Sequence, residues 1–178
     1  MSNPVAQDVV HACVVVADGE KGAETHYLRA GRGAPVLLLA EATAASALIG
    51  GLPRNFRSIA PKLPGPVETV AANFNPWIRG FLDALGIPKV SVIVGPCLSA
   101  QTLSFALLEP ERVDKLVFLV GGCGDAPASE GEIGVVDRLR TSGQPLLATP
   151  LDVTDPQACG RGLAEIAAFL DKQTSDQD

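Results

Sequence analysis

The chain has 178 residues, and 14 Lys and Arg residues against 20 Asp and Glu residues give it a formal net charge of -6. With 47% apolar and 19% charged residues it can bury a hydrophobic core, and its length fits a single domain over residues 1–178. The acidic charge and the lack of a basic run argue against nucleic acid as a partner. The sequence also lacks a cationic amphipathic stretch, which argues against binding to an anionic membrane surface.

Short β-rich apolar runs alternate along the chain with helical patterns, which is typical of βαβ units and a parallel sheet. The low aromatic content, 4% of the chain, also suits buried parallel strands of Val, Leu, Ile and Ala. The first two strands are expected to form an antiparallel hairpin. In chain order the predicted strands are Val9–Val16, Thr25–Ala30, Val36–Ala40, Phe56–Ala60, Val90–Val94, Val113–Val120 and Pro145–Ala148.

Three helices are predicted from apolar residues that recur with helical spacing. Trp77 lies on the apolar stripe of the first helix and is expected in the core. The predicted helices are Phe74–Leu85, which Gly86 ends, a second from Leu98 to the residue before Pro110, and Leu163–Leu170, which a polar tail from about Gln173 follows.

The N-terminal segment predicts neither a signal peptide nor a membrane span, because its apolar run, Ala12–Ala17, is short and follows no Lys or Arg. We therefore expect a cytoplasmic protein. The cysteines are far apart and form no CxxC pair, so the sequence indicates neither a metal site nor a disulfide scaffold, and no cofactor is expected. They are Cys13, Cys97, Cys123 and Cys159.

Five segments between Thr25 and Gly122 resemble, in order, segments of the α/β-hydrolase family. The resemblance implies an α/β fold with a mostly parallel twisted sheet flanked by helices. His26–Gly31, Ala34–Leu39 and Phe56–Gly65 are similar to the second, third and fourth strands of the family. Phe81–Val90 is similar to the helix before strand five, and Pro110–Val117 to the entry to strand six.

The resemblance places Cys97 where the family has the serine of its nucleophile elbow, G-x-S-x-G, between a strand and a helix. The elbow implies a strained backbone at this residue and small neighbours such as Gly95 and Ser99. A helix N-terminus favours a thiolate, the competent nucleophile. Cys97 is thus the candidate nucleophile, and the backbone N–H of Leu98 is the candidate oxyanion donor.

Two departures from the family remove groups that triad hydrolysis needs. The only histidines, His11 and His26, fall in the first two strands, and the family's strand order puts the second strand about 14 Å from strand five. The loop Thr149–Pro156, where the family has its histidine, contains carboxylates instead. After strand three, Glu41 stands near the position of the family's His-Gly, and its charge would repel an oxyanion.

A third departure is the short segment between strand six and the last helix, which implies that the fold has no cap domain. A shallow, open pocket would result. One face of the sheet would then be available to a small-molecule ligand, a protein partner or a second copy of the chain, and we expect a homodimer.

Three further residues are candidates for roles beside Cys97. Asp125 follows strand six and is either a relocated triad acid or a solvated loop carboxylate. Cys123 is either a resolving thiol for Cys97 or a free cysteine in a loop. Glu41 is a candidate base acting through water. Cys97 itself is either a nucleophile or redox thiol, or a small residue tolerated at a tight turn.

The remaining cysteines and histidines are expected to have structural roles only. Cys13 and Cys159 are interpreted as small apolar residues, and His11 and His26 as ordinary strand residues.

Three functions follow from these features. The first is a non-catalytic binding or subunit-type protein that has lost the triad histidine. The second is a hydrolase or acyl-transfer enzyme with Cys97 as nucleophile, acting on a small ester, lactone or thioester. The third is a thiol redox protein that uses Cys97 and Cys123.

Overall fold

The computed structural model describes residues 8–18, 21–63, 67–120, 137, 141 and 143–172. These residues contain the strands β1 Val10–Asp18, β2 Lys21–Ala30, β3 Ala34–Leu39, β4 Phe56–Pro61, β5 Val90–Val94, β6 Val113–Val120 and β7 Leu146–Pro150. The strands form one sheet in the order β1-β2-β4-β3-β5-β6-β7.

The sheet is parallel from β4 to β7 and antiparallel at the end that contains β1 and β2. β1 and β2 form the predicted hairpin, in which Asp18 pairs with Lys21. All five residues of β5 are buried, because helices cover both faces of this central strand. The mostly parallel sheet with flanking helices that the sequence predicts is therefore confirmed.

Helices in the described part of the chain pack on both faces of the sheet. They are α1 Ala42–Gly51, α2 Val67–Ala84, α3 Ser99–Leu108 and α4 Pro156–Asp171. Helices α2 and α3 share one apolar cluster, called here the first core cluster, with β1, β3 and β5, and helices α1 and α4 share a second core cluster with the opposite face.

Three aromatic rings connect the hairpin to α2. Tyr27 of β2 meets Phe81 edge to face, with ring centroids 5.7 Å apart, and Phe81 stacks on Trp77 at the same centroid distance. Phe81 is fully buried and Trp77 is 9% exposed, so the prediction that Trp77 lies in the core is confirmed. Each such ring pair adds about 0.5–1.5 kcal/mol to what burial alone contributes.

A buried lysine fixes the end of α4 against the sheet. Lys115 of β6 is 5% exposed, and its Nζ donates hydrogen bonds to the carbonyl oxygens of Leu170, at 2.6 Å, and Lys172. These carbonyls belong to the C-terminal end of the helix, where a positive charge is favourable. The charge of Lys115 is thereby compensated inside the fold.

The structure extends several predicted elements and adds one. β5 and β6 have the predicted bounds, whereas β2 begins four residues earlier, at Lys21, and α2 begins at Val67. Helix α1 was not predicted. Gly86 follows α2 with φ of +65°, as expected for a residue that ends a helix.

Some predictions concern residues outside the described part of the chain. Cys123, Asp125 and the polar tail from Gln173 are among them. None of the helices in the described ranges combines the length and apolar character of a membrane span.

Candidate active site

The carboxyl ends of the parallel strands β3, β5, β6 and β7 lie along one edge of the sheet, called here the carboxyl edge. In an open α/β sheet this edge is where ligands bind. Leu39 of β3 pairs with Val94 of β5, and the N–H of Gly95 donates a hydrogen bond of 2.9 Å to the carbonyl oxygen of Leu39. The chain segments that lead to Glu41 and Cys97 are therefore neighbours at this edge.

Cys97 lies in a 3₁₀ turn, Pro96–Leu98, between β5 and α3. Its thiol is free and exposed. The expectation of a strained backbone at Cys97 is wrong, because no residue except glycine has a positive φ in the described residues, Cys97 included. Pro96, whose ring fixes φ near -65°, starts the turn and favours the unstrained 3₁₀ conformation.

The backbone N–H groups that follow Cys97 donate hydrogen bonds within the turn. The N–H of Leu98 donates to the carbonyl oxygen of Gly95 at 3.3 Å, and the N–H of Ser99 donates to the carbonyl oxygen of Pro96. The Ser99 hydroxyl donates to the same Pro96 oxygen at 2.9 Å. For Leu98 to stabilise an oxyanion, its bond to Gly95 would have to open, so that role remains a prediction.

Glu41 lies at the N-terminal end of α1, at the carboxyl edge. Its side chain is exposed, and its carbonyl oxygen accepts the N–H of Ala45 at 2.8 Å as the helix begins. The placement expected from the sequence, next to the segment that carries Cys97, is therefore found. Whether Glu41 acts as a base through water stays a prediction.

Both histidines lie far from Cys97, as expected. His11 is in β1 and His26 is in β2, and both are exposed. β2 is separated from β5 by β4 and β3, so its backbone is about 14 Å from that of β5. Neither imidazole can accept a proton from the Cys97 thiol without a large rearrangement.

The loop after β7, where the family has its histidine, uses its carboxylates to form a turn and a helix cap. Asp152 accepts hydrogen bonds from the Thr154 hydroxyl at 2.6 Å and the Thr154 N–H at 2.9 Å. These bonds hold the pKa of Asp152 below its ordinary value. Asp155 accepts the N–H of Gln157 at 2.9 Å and caps α4. Both carboxylates therefore have structural partners.

The structure brings together a different set of groups, which the sequence analysis missed. Cys13 of β1 pairs directly with His26 of β2, and Glu24 lies two residues before His26. One ligand atom from each of these three exposed residues lies within 4.8 Å of the others. The interpretation of Cys13 as an ordinary apolar residue is wrong. We call Cys13, Glu24 and His26 the hairpin cluster.

The Cys13 thiol interacts with a carboxylate of the hairpin cluster. A hydrogen bond with Glu24, together with slight desolvation and the negative charge of Glu24, raises the pKa of the Cys13 thiol. A sequence signal for the cluster existed. Cys13, Glu24 and His26 all fall on one face of the hairpin once the two strands are paired in the observed register.

Curated proteins similar to the chain are hydrolases. The chain is 25% identical over 130 residues to a 2-hydroxy-6-oxononadienedioate/2-hydroxy-6-oxononatrienedioate hydrolase of Pseudomonas putida, covering 62% of the chain and 45% of that protein. A corresponding hydrolase of Dechloromonas aromatica is 40% identical over 47 residues, 26% of the chain and 16% of that protein. The chain thus spans less than half the length of these relatives. No protein-family model matches it.

Solved structures share the fold. Epoxide hydrolase VrEH1 of Vigna radiata superimposes with a TM-score of 0.54 at 21% identity, over 76% of this chain and 46% of that one. Epoxide hydrolase CorEH gives 0.55 at 23% identity, over 78% and 53%. Haloalkane dehalogenase DbeA of Bradyrhizobium elkani gives 0.54 at 18% identity, over 63% and 42%. At these identities the likeness concerns the fold alone.

Proposed function

The chain has the α/β-hydrolase fold, and on this premise we propose that it is a cytoplasmic, capless protein that does not perform triad hydrolysis and acts in binding or as a subunit. The observation that carries the proposal is the relaxed 3₁₀ turn around Cys97. A nucleophile of this fold stands on a strained turn that exposes it above the sheet and leaves the next N–H available for the oxyanion. Here the turn is unstrained and the Leu98 N–H is bonded to Gly95.

The placement of the histidines gives independent support. Without a base beside the nucleophile, deacylation lacks an activated water, and the loss of a triad member reduces a serine hydrolase to roughly 10³–10⁴-fold catalysis over water. Removal of one oxyanion donor costs a further factor of about 10²–10³. The distant histidines and the bonded N–H of Leu98 support both deficits, and we expect turnover that is hard to distinguish from the uncatalysed rate.

The direct test is steady-state hydrolysis by the wild-type chain and by Cys97→Ala. The panel contains p-nitrophenyl acetate and butyrate, a thioester, a lactone, an epoxide, a haloalkane, and 2-hydroxy-6-oxononadienedioate because a similar curated protein is named for acting on it. We expect equal rates for the two proteins on every substrate. Turnover by the wild type that disappears in Cys97→Ala would contradict the proposal.

The second candidate is a cysteine hydrolase or acyl-transfer enzyme, favoured by the exposed, free thiol of Cys97 at the carboxyl end of β5. In this mechanism the thiolate attacks the acyl carbon, the alcohol or thiol leaves, and water activated by a carboxylate such as Glu41 releases the acid. Intact-mass spectra after incubation with activated esters would show an acyl adduct on the wild type and none on Cys97→Ala. No adduct on either protein would exclude this candidate.

The partner of the non-catalytic protein is proposed to be a second copy of the chain. β1 is an edge strand of the sheet, and Val10 and Val15 on it are 44% and 63% exposed, so pairing or packing there would cover apolar surface and an open edge. Sedimentation velocity over a wide concentration range should show a dimer. A monomer at every concentration would contradict this part of the proposal.

A further inference from the structure

The hairpin cluster brings three metal-ligand types to one place on the surface. Cys13 lies directly across the hairpin from His26, and opposed residues of an antiparallel pair have Cβ atoms about 4.5–5.5 Å apart. Glu24 is two residues from His26 along β2 and therefore lies on the same face. The result is a thiol, an imidazole and a carboxylate whose ligand atoms lie within 4.8 Å of one another.

The position of the cluster in the fold keeps this face open. The opposite face of the hairpin, which includes Val16 and Tyr27, packs with α2 in the first core cluster. Cys13, Glu24 and His26 are exposed on the other face. Free cysteines are among the most buried residue types, so an exposed cysteine beside an imidazole and a carboxylate is not explained by packing.

The distances suit a transition-metal ion after small side-chain rotations. Zinc binds thiolate sulfur at about 2.3 Å, imidazole nitrogen at about 2.0–2.1 Å and carboxylate oxygen at about 2.0–2.2 Å, which in a tetrahedron puts the ligand atoms about 3.5 Å apart. Since the ligand atoms lie within 4.8 Å of one another, no pair of atoms has to approach by more than about 1.3 Å, which rotation about side-chain bonds can supply.

The ligand types decide which ion fits. Magnesium and calcium prefer oxygen ligands, whereas a set of one sulfur, one nitrogen and one oxygen suits zinc(II). We propose that Cys13, Glu24 and His26 form a binding site for one zinc(II) ion on the exposed face of the β1–β2 hairpin. Three protein ligands leave the fourth position of the tetrahedron to water.

Binding couples the ion to the thiol proton and to folding. The zinc–sulfur bond forms as the S–H bond of Cys13 breaks, the proton passes to the buffer, and no group is oxidised or reduced. The ion links edge strand β1 to β2 at a place on the sheet where the three side chains are exposed. Because the cluster is assembled only in the folded chain, zinc should raise the unfolding temperature as its concentration rises.

The proposal is tested on the whole chain, reduced and freed of metal with a chelator. Zinc(II) is titrated in competition with a chromophoric chelator, and cobalt(II) serves as a spectroscopic probe, because thiolate ligation gives a charge-transfer band in the near ultraviolet. We expect one zinc per chain and this band. Cys13→Ser should abolish the band, and Cys13→Ser and His26→Gln should each weaken zinc binding at least about tenfold.

Matched controls separate the hairpin cluster from general binding by exposed cysteines and histidines. Cys97→Ser removes another exposed thiol, and His11→Gln removes the other histidine; both should keep the wild-type affinity within about twofold. Circular dichroism of the metal-free variants confirms folding. Glu24→Gln removes the carboxylate of the proposed site while the side chain keeps nearly the same shape. The absence of stoichiometric zinc binding, binding by Cys13→Ser with the wild-type affinity, or loss of binding in Cys97→Ser would overturn the proposal.

Discussion

Two exposed cysteines of this chain stand in opposite chemical surroundings. Cys97 lies at the carboxyl edge, where the fold has its nucleophile, yet its turn is relaxed and both histidines are in distant strands. Cys13 lies on the hairpin, in a strand separated from β5 by β2, β4 and β3, and has a histidine and a carboxylate beside it. Position in a fold thus predicts a residue's role only when its neighbours in space supply the remaining groups.

The largest expected effect comes from removing the support beneath the hairpin. Phe81 contacts both Tyr27 and Trp77 and is fully buried, so Phe81→Ala should lower the free energy of unfolding by about 3–5 kcal/mol. Urea unfolding measures this. Leu108→Ala, at a residue that is 66% exposed, is the control and should change it by less than about 0.5 kcal/mol. Equal effects of the two substitutions would show that α2 does not anchor the hairpin.

Two glycines of α4 test how closely this helix approaches the carboxyl end of β7. A Cβ on Gly162 would lie 2.8 Å from the carbonyl oxygen of Pro150, whereas a Cβ on Gly160 would meet nothing within 4 Å. Gly162→Ala should therefore destabilise the fold by about 1–3 kcal/mol. Gly160→Ala should stabilise it by up to about 1 kcal/mol. Chemical unfolding that ranks the two variants the other way would contradict the close approach of α4 to β7.

A smaller effect distinguishes the two thiols by reactivity. In chelator-containing buffer, Glu24→Gln should speed iodoacetamide alkylation of Cys13 severalfold. The substitution removes the negative charge of Glu24 and replaces its carboxylate acceptor by a neutral amide oxygen, which lowers the pKa of that thiol and increases its thiolate fraction. Cys97 in the same sample is the internal reference and should react at an unchanged rate. The sites are assigned by peptide mass, and an unchanged Cys13 rate would refute the contact with Glu24.

The smallest effect concerns the loop after β7. Thr154→Val removes the hydroxyl that donates to Asp152 and should move the pKa of Asp152 up towards its ordinary value of 3.8. A depressed folded-state pKa contributes stability that is present at neutral pH and is lost as the pH falls through that pKa in the acid range. The variant should lose this small contribution. Carboxyl-carbon NMR titration measures the shift, and Thr141→Val is the exposed control.

The sequence predicts the sheet better than the helices because short continuous runs of β-branched and other apolar residues are typical of parallel strands buried on both faces. β5 and β6 match residue for residue. Helix α1 was missed because its segment consists mainly of small residues, Ala, Ser, Thr and two terminal Gly, so that its periodic signal is limited to the buried residues Ala45, Leu48 and Ile49.

The two cysteine sites show the limits of sequence patterns in physical terms. The resemblance placed Cys97 correctly after β5, but the effect of Pro96 on the turn outweighed the expected strain. The hairpin cluster joins residues from two strands, so no CxxC-type spacing reveals it. Only the register of β1 against β2, in which Cys13 meets His26, brings its members together.

One measurement reads both regions at once: the rates at which iodoacetamide alkylates Cys13 and Cys97 in the same reduced chain, with and without one equivalent of zinc(II). The comparison predicts strong protection of Cys13 by zinc and an unchanged rate at Cys97. Equal rates at Cys13 with and without the ion would contradict the assignment of a zinc site to the hairpin. Protection of Cys97 would contradict the claim that zinc does not bind at this residue.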